Sequence, residues 1–128
     1  MDGTLVTTFT DANGLGCAAV ITWNEDDPLS IRFEFDGQHV WVFARDLVRH
    51  PFTNVPKEYH GDVAFFSHRN KLYIGLSSPS GETVLKFNNP QVVMNFLEQS
   101  YRIVPEGDEF LTDALDRELS TILPEGLS

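Results

Sequence analysis

Asp36-Gly37 stands between two runs of β-forming residues, 30–35 and 39–44, and this arrangement commits the middle of the chain to an antiparallel hairpin. With Asp36 and Gly37 as the two central turn residues, Phe35 faces Gln38, Glu34 faces His39, Phe33 faces Val40, Arg32 faces Trp41 and Ile31 faces Val42. Directly opposed residues share a sheet face. This register predicts a core face of Ile31, Phe33, Val40 and Val42, and an amphipathic opposite face of Arg32, Glu34, His39, Trp41 and Phe43. A bare Trp and Phe would leave a large apolar patch, so the C-terminal helices or another subunit should cover them. Arg32 over Trp41 is then an expected cation–π contact.

The same alphabet of Val, Ile, Thr and aromatics marks residues 5–10 and 16–23 as strands joined near Asn13-Gly14. Strands resume at 62–67, 71–77 and 82–87, the last two linked by the turn Ser78-Pro79-Ser80-Gly81. A short helical turn is expected over 44–49, stopped by His50-Pro51, and residues 51–60 read as a surface loop. The period changes after Asn89-Pro90, a favourable cap and first-turn pair, with Val92, Val93, Phe96 and Leu97 at helical spacing to about Arg102. A second helix is expected beyond Pro105-Glu106-Gly107, on the stripe Leu111, Leu115, Leu119 and Ile122. With 128 residues and no dividing linker, one domain spanning 1–128 is predicted.

The net charge of −10 disfavours binding to phosphate backbones, since the basic residues are dispersed while acids gather at Glu25-Asp26-Asp27 and between Glu106 and Glu118. No nucleophile elbow, Walker loop or dinucleotide glycine pattern occurs. The four histidines lack paired ligand spacing and Cys17 stands alone, so neither a metal nor another cofactor is expected. Cys17 reads as a small buried hydrophobe in a reducing compartment. No apolar run approaches the roughly 18 residues of a membrane span, and the start lacks signal-peptide regions, so a cytoplasmic location with no membrane insertion is expected.

Four stretches carry a resemblance in one order and spacing: residues 27–35 (DPLSIRFEF), 40–47 (VWVFARDL), 76–82 (LSSPSGE) and 116–123 (DRELSTIL). Together with Trp23-Asn24-Glu25-Asp26-Asp27-Pro28 and Gly61-Asp62-Val63, they resemble the SsgA-like proteins, actinobacterial regulators of cell division and sporulation septation. The match runs from about Val20 to Leu123 and departs at residues 49–60, where the family usually has a glycine-rich loop and this chain has His50-Pro51, Val55-Pro56 and Tyr59-His60. The resemblance implies an α+β fold of two antiparallel sheets with C-terminal helices, like the whirly nucleic-acid-binding proteins, assembled as a homotrimer. It also implies a protein that is not an enzyme but an adaptor for the septal machinery, with FtsZ-type partners and a location concentrated at division septa.

On that reading the expected partner-binding residues are Trp41, Phe43, Arg45, Asp46, Arg49, Phe52 and Tyr59, because exposed aromatics beside charge are the usual composition of an interaction hot spot. A structural ion pair or helix cap is the competing role for Arg45 and Asp46. The alternative function is single-stranded nucleic-acid binding, with Tyr59, Phe65, Phe66 and Tyr73 as stacking surfaces.

Overall fold

The computed structural model describes residues 2–48 and 56–105. In chain order these form β1 (Asp2–Asp11), β2 (Gly16–Asn24), β3 (Asp27–Phe35), β4 (His39–Ala44), α1 (Arg45–Val48), β5 (Val63–His68), β6 (Lys71–Ser78), β7 (Gly81–Phe87) and α2 (Pro90–Ile103). The predicted strands are therefore present, and so is the first C-terminal helix. The expected second helix, with Leu111, Leu115, Leu119 and Ile122, lies outside the described residues.

Two separate sheets were expected; the described strands instead make one antiparallel sheet in the order β4-β3-β2-β1-β7-β6-β5. Its halves are joined by a short seam, Phe9–Asp11 of β1 against Phe87–Leu85 of β7. After Phe87 the chain leaves β1, and α2 packs along the rest of that strand. Gly3 marks the contact, since a Cβ there would stand 3.0 Å from the Phe96 ring. Pro90 opens α2 as expected, but the Asn89 side chain makes no cap bond; its carbonyl accepts from Val92 and Val93 instead. Val93, Leu97 and Tyr101 fill the inward stripe of the helix.

The sheet curls until its ends approach each other. Phe43 of β4 and Phe65 of β5, from opposite edges, meet edge to face with ring centroids 5.4 Å apart. Phe33 touches both, and Phe9 and Phe87 continue the cluster across the middle seam at 4.6 Å. Aromatic burial on this scale is the main stabilising term, because each ring removes roughly 150–250 Å² from water. The turns after β1, β3 and β6 ring one end of the curled sheet, while α1 and α2 lie towards the other.

The β3–β4 hairpin corrects the expected register. Asp36 (φ 53°) and Gly37 (φ 70°) do form a mirror-image turn, closed by Gln38 N–H donating to the Phe35 carbonyl at 3.0 Å. The ladder then slips by one residue, pairing Phe35 with His39, Phe33 with Trp41, Arg32 with Val42 and Ile31 with Phe43. A one-residue slip exchanges the faces of the whole strand. Phe43 becomes 5% exposed and Trp41 half-buried, whereas Val40 and Val42 turn outward at 47% and 61%. Burying two aromatics in place of two valines favours this register by roughly 1–2 kcal/mol per position. Arg32 consequently faces away from Trp41 and pairs with Glu34 at 3.4 Å.

Candidate interaction site

α1 begins where β4 ends, so the segment 40–47 passes from sheet edge to helical turn within a few residues. Arg45 turns inward at this junction and is 1% exposed. Its guanidinium lies 3.9 Å from the Tyr101 ring centroid and 5.6 Å from that of Trp23. Nη1 donates to Ser100 Oγ at 3.2 Å and Nη2 to the Val104 carbonyl at 2.9 Å, so the cation sits against the negative end of the α2 dipole. Asp46, next in the chain, is exposed and accepts from the Tyr101 hydroxyl at 2.5 Å. Arg45 is thus a cap for α2, and with Asp46 it locks the helix to the end of β4.

Of the residues expected to meet a partner, Phe43 and Arg45 are interior and shape the surface from beneath, because side chains so deeply buried offer no area to another molecule. Trp41 and Asp46 remain accessible. Arg49 and Phe52 lie outside the described residues. Tyr59 instead sits on the outer side of β5–β7, where its hydroxyl donates to Glu82 and approaches Gly75 so closely that a Cβ there would stand 2.8 Å from it. Lys57 Nζ joins the same carboxylate at 3.3 Å. Phe66 and Tyr73 stack beside them, 5.2 Å apart at 14°, whereas Phe65 points into the core.

The Tyr59–Glu82 bond has a titration consequence. Burial, then the bond to Glu82 and its charge, pushes the Tyr59 phenol up to about 12. The Tyr59 bond, then Lys57, holds the Glu82 carboxyl below its ordinary value. A raised phenol contributes stability that is complete below its unfolded value of 10 and is lost as pH rises through about 12. Glu82 works in the opposite sense: its contribution is present above its ordinary pKa and lost as pH falls through the depressed one. Titration of phenolate absorbance should show a late-ionising component, and Tyr59→Phe should reduce it by one phenol. An unchanged curve in the variant would refute the assignment.

Two features escaped the sequence reading. The first is an exposed outer face on β1–β4, where Val6, Val20, Glu34 and Val40 form one cross-strand row and Thr4, Thr22, Arg32 and Val42 the next. Val6 is 68% exposed. The preference of Trp41 and Phe43 for burial was the available signal, but the two-residue turn outweighed it. The second is a cavity of ≈620 Å³ at the mouth of the curled sheet, lined by Leu15, Cys17, Phe35, Trp41 and Leu85 with Asp11 and Asp36 among its polar groups. Cys17, expected in the core, is half-buried in this mouth, and burial, then Asp36 and Asp11, pushes its thiol pKa up. Among the described residues no three His, Cys, Asp or Glu side chains converge as a metal site, and no helix is long and apolar enough to cross a membrane.

Comparison with known proteins places this architecture. The family model described as "Streptomyces sporulation and cell division protein, SsgA" matches residues 17–109. The sporulation-specific cell division protein SsgB of Streptomyces coelicolor is 31% identical over 121 residues, covering 88% of this chain and 86% of that protein. SsgB of Saccharopolyspora erythraea is 35% identical over 91 residues, 69% of this chain and 62% of that one. A solved structure of SsgB, studied in sporulation of Streptomyces coelicolor, superposes with a TM-score of 0.75 at 24% identity, over 86% of this chain and 94% of the other. An SsgA-like sporulation-specific cell division protein from Thermobifida fusca gives 0.72 at 24% identity, over 94% of both chains. With family motifs on β3, on β4 and α1 and at the β6–β7 turn, and with relatives of this identity and coverage, the chain belongs to the SsgA family of sporulation and cell division proteins.

Proposed function

We propose that this chain is a non-enzymatic adaptor that works as a homotrimer at division septa and binds proteins of the septal machinery, with an FtsZ-type partner. The observation that carries the reading is the outer face of β1–β4, which leaves Val6, Val40 and Val42 bare on a chain of net charge −10. Apolar side chains grouped on an exposed sheet face mark a surface that another protein covers. Trp41 and Asp46 border that face through β4 and α1, Tyr59 lies on the other half of the sheet, and Phe43 and Arg45 support the first two from inside.

Light scattering should give about three times the 14.4 kDa chain mass. Crosslinking and capture from actinobacterial cells should retain a septal protein, and Val42→Asp should reduce that retention while leaving the circular dichroism spectrum unchanged. A second reading, single-strand nucleic-acid binding, is favoured by the stacked Phe66 and Tyr73 with Lys86 opposite Tyr73 and Lys57 near Phe66. Tight single-strand binding that weakens steeply with salt, together with no retained septal protein, would replace the adaptor reading with this one.

A further inference from the structure

β4 ends the sheet order, and among the described residues no strand pairs with its outer edge. The backbone N–H and C=O groups on that edge form a template for another strand. Beside it lies a slot of ≈280 Å³, lined on one wall by the consecutive residues Trp41, Val42, Phe43 and Ala44, on the other by the start of β5 and the residues before it, and by Leu47 of α1. Successive residues of a strand point to opposite faces. A cavity that touches four in a row therefore lies in the plane of the sheet, where the next strand would run. Trp41 is shared between this slot and the larger mouth cavity, so a chain in the slot has a deep apolar recess within reach of its side chains.

Charge narrows the occupant. Asp11 and Asp36 line the mouth and Asp62 lines the slot, on a chain whose net charge is −10. The chain's own last residues suit this poorly, because Glu106, Asp108, Glu109, Asp113, Asp116 and Glu118 there are opposed by Arg117 alone. A segment alternating apolar with basic residues fits both the walls and the field.

We propose that the slot between β4 and β5 accepts an extended, basic and apolar peptide segment of a partner protein as an added strand, with one apolar side chain anchored against Trp41 in the mouth. This deepens the adaptor reading and rests on it for the origin of the segment. Main-chain bonds to β4 supply affinity, and the recess beside Trp41 selects the side chain.

The test uses the full chain and a synthetic probe, acetyl-Lys-Val-Lys-Leu-Lys-Val-amide, followed by amide chemical shifts in nuclear magnetic resonance. Saturable shifts confined to β4, the start of β5 and the Trp41 indole are expected. The same peptide N-methylated at alternate amides should bind at least about tenfold more weakly, because it cannot complete the ladder. Trp41→Ala should also cost about tenfold, the loss typical of an anchoring aromatic. Asp36→Asn, which keeps the oxygen that accepts from Ala18 N–H at 3.2 Å, should weaken binding and flatten its salt dependence without disturbing the fold. Equal binding of the N-methylated peptide, shifts centred elsewhere, or no shifts at about 1 mM probe would overturn the proposal. Because the probe comes from no division protein, slot binding without capture of a septal protein supports the slot and removes the adaptor reading. Capture of a septal protein with no peptide response at β4 does the reverse.

Discussion

Phe33→Ala is expected to lower the free energy of unfolding by about 3–5 kcal/mol, the range for truncating a fully buried aromatic. Phe33 is fully buried, and its ring meets those of Phe9, Phe35, Phe43 and Phe65 at centroid distances of 6.2, 6.0, 5.3 and 6.3 Å. These neighbours come from both halves of the sheet. The cavity left by alanine would therefore sit where the two halves are held together, between strands that cannot collapse on it without breaking the curl. Denaturant titration measures the loss, with Val42→Ala as the exposed control at within about 0.5 kcal/mol of the parent. Equal midpoints for the two variants would mean that β4 has the opposite face inward.

Arg45→Ala should cost about 3 kcal/mol, with the damage centred on α2 rather than on the sheet. The substitution removes two hydrogen bonds, to Ser100 and Val104, and the cation between Trp23 and Tyr101. It also exposes the negative end of the helix dipole to an emptied interior. Arg45→Lys should recover little, because one ammonium cannot reach both acceptors while lying flat on the Tyr101 ring. Hydrogen exchange should accelerate across residues 97–104 in Arg45→Ala and stay near parental rates in β6. Uniform acceleration through the whole molecule would show instead that Arg45 supports the core and not the helix.

How much of this was legible follows from the range over which each signal acts. Strand and helix identities are local: β-branched and aromatic runs, Asp36-Gly37, Asn89-Pro90 and the Val93, Leu97 spacing each act within a few residues. The family motifs are likewise a property of order and spacing, and the homology they implied holds. Composition did not reveal the site. Trp41 and Phe43 drew attention because they are large and flanked by charge, yet one is half-buried and the other interior.

The tertiary structure decided what depends on a balance between distant groups. A two-residue turn at Asp36-Gly37 has a preferred register of its own, and only the company of Phe9, Phe33 and Phe65 makes the slipped ladder better by burying Phe43. That slip turned Val40 and Val42 outward and created the surface on which the functional reading stands. Arg45 reads as a surface charge in any local window; its place between Trp23 and Tyr101 requires strand, turn and helix to meet from three parts of the chain. The sequence by itself determined the described strands and helices, the acidic composition and the family, because those depend on neighbouring residues and on sums. Which face of β4 looks inward, which cation is buried and which strands end the described sheet were decided only by folding, because burial is shared among residues that the chain brings together from far apart.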